Sequence, residues 1–347
     1  FDILVIGGGI SGIMAAKISA ENNFKTLLLE ERPNLGGTTI YQKNDYFKIN
    51  DQYSSDWLEK EIEKIKNLKN LEIKTRTSVA AYHGYNYLLA RENLTDHLPI
   101  EKKQNTIRQR LLKIRAKKVI TATGSIERPL IFDNNDRPGI MLSSAIKKYA
   151  DFYGVACGKE NVLFTNNDTA YETAISLNNK GIKINAIIDI REQNKSDLTN
   201  EINKAGIKIF NSYTVIDTNG YKKINKITIM KLSKDGKTVT DSKIDINCDC
   251  LGVSGGWTPA VHLFTQSGGK LKFDDNDNIF IPNKYPSDQL SIGSCNGNLE
   301  LDDIISNINE SLKNFLKIGK TNFENLKINS SKSISRRNIL LLPSNKT

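Results

Sequence analysis

An apolar run that ends abruptly in glycine constrains this chain more than any other feature. Residues 2–6 read Asp-Ile-Leu-Val-Ile, and Gly7-Gly8-Gly9-Ile10-Ser11-Gly12 follows at once. Apolar residues then recur at helical spacing (Ile13, Ala16, Ile18, Ala20), and residues 26–30 form a short apolar strand, Thr-Leu-Leu-Leu-Glu. Strand, tight glycine turn, helix and strand make the βαβ unit of a dinucleotide-binding fold. In the G-x-G-x-x-G pattern, Gly7 permits the tight turn and Gly9 lets the backbone approach a pyrophosphate. Gly12 lets helix and strand pack closely. The helix N-terminus presents free N–H groups and partial positive charge to phosphates. Glu30 lies 18 residues beyond Gly12, close to the ~20 expected of the acid that binds a ribose hydroxyl pair. An acid there favours the unphosphorylated ribose of NAD or FAD and repels a 2′-phosphate. The competing reading is a set of glycines that only makes a turn.

Two further elements follow in the order expected of two-dinucleotide-domain flavoproteins. Gly36-Gly37-Thr38, after Glu30-Glu31-Arg32-Pro33, lets a loop pass close to a cofactor, and Ala122-Thr123-Gly124 ends a buried strand beside the pyrophosphate position. The candidate cofactor-binding residues are therefore Gly7, Gly9, Ser11, Gly12, Glu30, Glu31, Arg32, Gly37, Thr38, Thr123, Gly124 and Gly293. One departure stands out. Flavin enzymes of this architecture end the cofactor domain with Gly-Asp, whereas here Ile292-Gly293-Ser294-Cys295-Asn296-Gly297 carries no acid.

A second unit of the same kind is expected, with a strand over 161–165, a helix over 170–179 and a strand over 184–190. Its turn reads Asn166-Asn167-Asp168 in place of glycines. An Asp there faces any pyrophosphate with like charge, which argues against ordinary NAD(P)H binding. The fold class read from the sequence is α/β, with two Rossmann-like units and the second inserted in the first. The expected division is residues 1–140 with 250–320, an inserted 141–249, and a polar, linker-like tail over 321–347. Further strands are expected over 206–210, 224–232, 239–246, 250–253 and 290–293, with helices over 57–68 and 301–318. The chain begins at Phe1 directly in a strand, and with its polar tail it reads as an internal section of a longer subunit.

Composition narrows the function classes. At 347 residues, with 25% charged and 38% hydrophobic residues, the chain suits two or three globular domains. No run approaches the ~18–20 apolar residues of a membrane helix. The formal net charge of +10 is spread along the chain without a basic cluster interleaved with aromatics, so no nucleic-acid partner is expected. Four cysteines form neither a disulfide framework nor a C-x-x-C redox pair; Cys248 and Cys250 are expected on one face of a core strand. His83, His97 and His262 do not group as metal ligands. These features lead to an expectation of a reducing, cytoplasmic compartment, with no metal. No nucleophile–base constellation or catalytic carboxylate pair can be assembled.

Long ordered stretches carry a resemblance. Residues 108–129 (RQRLLKIRAKKVITATGSIERP), 135–142 (NDRPGIML), 164–171 (FTNNDTAY) and 254–270 (SGGWTPAVHLFTQSGGK) resemble the alpha subunits of heterotetrameric sarcosine oxidases. The resemblance implies a structural NAD on Gly7, Gly9, Gly12 and Glu30, with FAD as the alternative occupant. It also implies an FMN shared at a subunit interface, a flavoprotein beta subunit that oxidises sarcosine, and smaller subunits. The missing Gly-Asp agrees with a non-flavin occupant. Two other functions stay open: a free-standing FAD-dependent NAD(P)H oxidoreductase, and a non-catalytic scaffold stabilised by NAD. Among the remaining residues, Trp257 and His262 line a cofactor cleft or pack a seam. Glu127 and Arg128 touch the dinucleotide or pair with each other. Arg137-Pro138-Gly139 reads as a linker turn, and Asp168 and Tyr171 as helix cap and packing residues.

Overall fold

The computed structural model describes residues 1–41, 47–103, 106–192, 197–319, 326–330 and 337–343. Two compact units emerge, one of residues 1–126 and 258–330, the other of residues 127–257 and 331–347. The boundaries thus fall at 126/127 and 257/258, where the sequence reading put them at 140/141 and 249/250.

In the first unit, β1 (Ile3–Ile6), α1 (Ile10–Glu21) and β2 (Thr26–Leu29) form the expected βαβ element. Both strands are buried throughout, and β1 pairs in parallel with β2 and with Lys118–Thr121. Strands covered on both faces read as continuous apolar runs, and these do. The five-stranded parallel sheet has the order Gln289–Ser291, Lys118–Thr121, β1, β2, Leu71–Lys74. Successive strands run outward from β1 on one side and then resume on its other side. The carboxyl ends of β1 and Lys118–Thr121 therefore flank a topological switch point, where open α/β sheets bind ligands. Helix α1 is buried from Ile10 to Ala20 and packs with Trp57, Leu58, Ile62 and Ile65 of helix Ser54–Lys66. Ile304, Ile305, Ile308 and Leu312 of helix Leu301–Leu316 join the same core. Strands Thr77–His83, Tyr87–Asn93 and Gln109–Arg115 form an antiparallel meander.

The second unit repeats this plan. Strand β3 (Asn161–Thr165), helix α2 (Thr169–Asn179) and strand β4 (Ile184–Asp189) form its βαβ element. Its parallel sheet has the order Ile140–Leu142, Cys250–Ser254, β3, β4, Lys208–Asn211. Its meander is Tyr213–Asn219, Lys226–Leu232 and Val239–Asn247. The outermost strand here comes from ahead of β3, whereas in the first unit it comes last.

Several expectations are corrected. Strand Tyr213–Asn219 and the hairpin Lys270–Asp274 with Ile279–Lys284 were not read from the sequence. The hairpin's face is set by Phe273 packing edge-on to Phe280 at 5.0 Å, a pairing that local hydropathy does not encode. Cys250 opens a strand, but Cys248 lies just before it, and both are buried. Parts of the expected linker-like tail are packed. Ile328–Ser330 pairs with Phe47–Ile49 in the first unit, and in the second Leu342 is buried beside Leu130 and Phe132. Residues 321–325, 331–336 and 344–347 of that tail lie outside the described residues. Among the described residues, no helix is long and apolar enough to cross a membrane.

Candidate functional site

The turn that follows β1 is shaped by backbone contacts. Gly7 has φ +105°, and a Cβ there would fall 2.3 Å from Ala122 O. A Cβ on Gly12 would fall 1.8 Å from Gly7 O, so the first turn of α1 lies directly on the turn. Gly9 differs: it is the N-cap of α1, extended at φ −74° and ψ −177°. Its Cβ position has no neighbour nearer than Gly37 Cα at 4.0 Å. Neither clash nor strain requires glycine at position 9, so its smallness leaves room beside the helix N-terminus. This is the observation that tests whether a dinucleotide fits. A cradle bounded by backbone, with no side chain at its centre and free N–H groups behind it, suits an anion.

Glu30, at the end of β2, is buried and bent back onto this turn. Its Oε2 accepts the Gly8 N–H at 2.5 Å and its Oε1 accepts the Arg32 N–H at 2.8 Å. A carboxylate has about four acceptor positions, so two remain for hydroxyls. Gly36 donates its N–H to Gly8 O at 2.8 Å, and Gly37, at φ +57°, would place a Cβ 3.0 Å from Gly9 Cα. The 31–38 loop thus closes on the glycine turn. Of its candidate residues, Glu31 and Thr38 are exposed and Arg32 is half-buried.

Two candidate segments from farther along the chain meet the same crevice. Thr123 donates its hydroxyl to Ala260 O at 2.8 Å, and Gly124, at φ +78°, accepts the Ala260 N–H at 3.0 Å. Gly293, at φ +72°, lies against Ser11, whose Oγ would be 2.2 Å from a Cβ there. Ser294 stands where the flavin pattern would carry its acid, with its Oγ 4.0 Å from the Cβ position of Gly124. The structure therefore gathers Gly7, Gly9, Ser11, Gly12, Glu30, Gly37, Thr123, Gly124 and Gly293 at the carboxyl edge of one sheet. Sequence reasoning missed Gly8, whose N–H holds Glu30. A Cβ on Gly8 would meet Leu35 Cδ2 at 2.5 Å and Glu30 Oε2 at 2.9 Å.

The corresponding turn of the second unit is built differently. Asp168 is the N-cap of α2 by position but makes no side-chain capping bond; its Oδ1 accepts Arg191 Nη1 at 2.8 Å. Tyr171 is fully buried and donates its hydroxyl to Asp189 Oδ2 at 2.8 Å. The expected capping role of Asp168 is thus replaced by an ion pair, because Arg191 supplies a stronger partner than a backbone N–H. Arg191 was missed in the sequence. Its signal was there: in both units the acid ending the second strand is followed two residues later by arginine (Glu30 and Arg32, Asp189 and Arg191).

Other groups have structural settings. Trp257 Nε1 donates to Thr169 Oγ1 at 3.1 Å, and His262 is exposed at the start of helix His262–Gln266. Arg137 ties its turn to Thr218 Oγ1 at 3.2 Å and to Gly220 O. Glu127 is buried and accepts the Ser144 N–H at 2.8 Å. Burial raises its carboxyl above the ordinary range, outweighing the hydrogen bonds of Ser144 and Ser254. Within α1, Lys17 is buried with its Nζ 2.5 Å from Glu61 Oε2. Burial would raise Glu61, but the bonds from Lys17 and Lys64 prevail and lower it. Burial, with the neighbouring Asp249 charge, pushes the Cys248 thiol up to about 12. Cys250 is likewise pushed up to about 12, mainly by burial. All four cysteines are free thiols.

Comparison with known proteins agrees with this architecture. The sarcosine oxidase subunit alpha of Corynebacterium sp. (strain P-1) is 32% identical over 298 residues, covering 85% of this chain and 30% of that protein. That of Corynebacterium sp. (strain U-96) is 31% identical over 305 residues, covering 88% of this chain and 31% of that protein. The chain thus spans less than a third of the length of these curated relatives. Among solved structures, L-proline dehydrogenase from P. horikoshii superposes with a TM-score of 0.65 at 22% identity, covering 97% of this chain and 60% of that one. Lactococcus lactis thioredoxin reductase gives 0.65 at 17% identity, covering 91% of this chain and 98% of its own. At such identities the likeness concerns the fold alone, a pair of nucleotide-type α/β units. The match to the pyridine nucleotide-disulphide oxidoreductase family runs over residues 1–288, taking in both units, and this chain belongs to that family.

Proposed function

We propose that this chain is the dinucleotide-holding portion of a sarcosine oxidase type alpha subunit, part of a complex that oxidatively demethylates sarcosine to glycine. The observation that carries the reading is the open backbone cradle at Gly9 beside a buried, backbone-anchored Glu30, in a chain similar over 85% of its length to such a subunit. In this reading the N–H groups at the start of α1 bind the pyrophosphate of NAD, and Glu30 accepts its ribose hydroxyls. Gly37, Thr123, Gly124 and the Ser11–Gly293 contact line the phosphates, and Glu31, Arg32 and Thr38 form the outer rim. Burial of Glu30 against the turn disfavours a 2′-phosphate there. NAD when bound is a hydride carrier, and the resemblance to sarcosine oxidase alpha subunits implies that here it is not turned over. The role assigned to it is therefore structural.

Oxidation of the amine then belongs to a flavoprotein beta subunit, with smaller subunits completing a cytoplasmic heterotetramer and an FMN shared at an interface. A second reading, FAD in the same cradle, is favoured by the flavoprotein fold but opposed by Ser294 at the acid position. The test is release of the bound nucleotide from the purified full chain by denaturation, followed by chromatography and mass spectrometry. NAD supports the proposal, FAD supports the second reading, and neither refutes both. Co-expression with a candidate beta-type flavoprotein should yield a stable complex with sarcosine-dependent oxygen uptake that the chain alone lacks.

A further inference from the structure

The second unit has the frame of a nucleotide site, but its own residues stand in the cradle. At the turn after β3, where glycines would admit a pyrophosphate, Asn166, Asn167 and Asp168 are all buried. Arg191 spans from this turn to the acid that ends β4. Its Nη1 meets Asp168 Oδ1 at 2.8 Å, and its Nη2 meets Asp189 Oδ2 at 2.7 Å. Its Nε lies 3.0 Å from both Asp189 oxygens, and its backbone N–H donates to Asp189 Oδ1 at 2.9 Å. The Tyr171 hydroxyl takes up a further position on Asp189 Oδ2. Burial alone would weaken the arginine's charge, but Asp189 and Asp168 outweigh it and hold Arg191 firmly protonated. One guanidinium thus engages both acids, the one at the turn and the one at the ribose position.

A second, independent element covers the same edge. Arg337 donates its N–H to Asn166 O at 3.3 Å, and Asn166 Nδ2 donates back to Arg337 O at 3.2 Å. The Arg337 guanidinium donates to Ile190 O at 2.5 Å, just past β4, and to Ser233 O at 3.0 Å. Beyond it, Ile131 N–H donates to Leu340 O at 2.8 Å, and Leu342 N–H donates to Ile131 O at 3.0 Å. The Leu342 side chain is buried. Residues 337–343 therefore run as a bonded strap over the turn and the end of β4.

We propose that Arg191 and the 337–343 strap are the built-in occupants of the second unit's nucleotide cradle, so that this unit takes no nicotinamide or flavin dinucleotide and serves as a closed structural partner. In the first unit the equivalent turn leaves the Cβ position of Gly9 open, with no neighbour among the described residues nearer than 4.0 Å. The inference does not rest on what the first unit holds. It implies that no hydride can be delivered from NAD(P)H bound in the second unit, the step that a two-nucleotide reductase of this fold would need.

Hydrogen–deuterium exchange on the full chain tests it, with and without millimolar NADH, NADPH or FAD. Residues 337–343 should exchange slowly, as a packed segment, and no ligand should change exchange over residues 161–172. Ligand-induced protection at 161–172 would overturn the proposal, and so would exchange of 337–343 at free-peptide rates. Equilibrium dialysis of Gly9→Asp, in which the first cradle is blocked, should find no saturable dinucleotide site. A site that survives there and protects 161–172 refutes the closed unit. Absence of any site in the unaltered, folded chain would instead refute the first-unit reading and leave the closed second unit standing.

Discussion

Replacing Gly9 by Asp separates what the first glycine turn does for the fold from what it does for a ligand. Gly9 is the N-cap of α1 in an extended conformation that any residue adopts, and its Cβ position is open to 4.0 Å. Aspartate there can accept the N–H of Ser11 or Gly12. Relative to glycine this cap adds a few tenths of a kcal/mol, and the negative charge at the helix N-terminus adds about 0.3–1 kcal/mol. Lost freedom of the unfolded chain adds about 0.4–1 kcal/mol. The apo-protein should therefore gain about 1–2 kcal/mol. A phosphate drawn to the same N–H groups would meet the new carboxylate instead. Two unit charges about 4 Å apart near a protein surface repel by about 4 kcal/mol, roughly a thousandfold in affinity. Gly12→Ala is the contrast. Its Cβ would lie 1.8 Å from Gly7 O, a backbone-on-backbone clash that overpacking values put at about 3 kcal/mol or more. The ~1 kcal/mol gain in helix propensity cannot offset it. Urea unfolding without nucleotide and calorimetric titration with NAD read the two effects separately. If Gly9→Asp destabilises the apo-protein as Gly12→Ala does, or binds NAD as tightly as the unaltered chain, the assignment of Gly9 as a ligand-approach glycine fails.

Further predictions concern the buried charges and thiols. Lys17→Met removes the buried partner of Glu61 and leaves it only the more exposed Lys64, and should lower stability by about 1–3 kcal/mol. Glu61 is held below its ordinary value of 4.5, so its contribution is present above that pH and lost as pH falls through the lowered folded value. The variant should show a smaller acid-side loss in a denaturation series across pH 3–6, Lys64 retaining part of it. Glu127 has the opposite sign. Because its folded value is raised above 4.5, stability falls as pH rises from the unfolded value through the folded one. Glu127→Gln should be more stable than the unaltered chain at pH 7 and lose that advantage at pH 4. In native protein, iodoacetamide at neutral pH should modify the partly exposed Cys157 well before Cys248, Cys250 or Cys295, which are buried. Peptide mapping that finds Cys248 or Cys250 reacting first would contradict their burial.

The two units were legible to different degrees. Periodicity and glycine spacing located β1, α1, β2 and the strand ending at Thr121, because each is a local consequence of backbone geometry and of burial on both sheet faces. Strand Tyr213–Asn219 escaped notice because its threonines, aspartate and asparagine dilute the apolar signal; its place is earned by pairing with Lys226–Leu232. The 337–343 segment also looked like linker. Its apolar run, Ile339 to Leu342, is short and shows neither strand nor helix period, and only the partners across the second unit's core, Leu130 and Phe132 among them, give Leu342 a place.

The amino-acid sequence by itself determined the nucleotide-type α/β class, the glycine turn with its acid at Glu30, and the degenerate turn at Asn166-Asn167-Asp168. These are short-range patterns in which backbone conformation and charge are set within about thirty residues. Only the tertiary structure decided what surrounds them. It brought Gly293 onto Ser11, turned Glu30 onto the Gly8 N–H, and set Arg337 on Asn166. It also turned Arg191 inward between two acids. Such contacts depend on which groups are excluded from water together. A buried arginine is tolerated only where carboxylates meet it, and that meeting is a property of the packed chain.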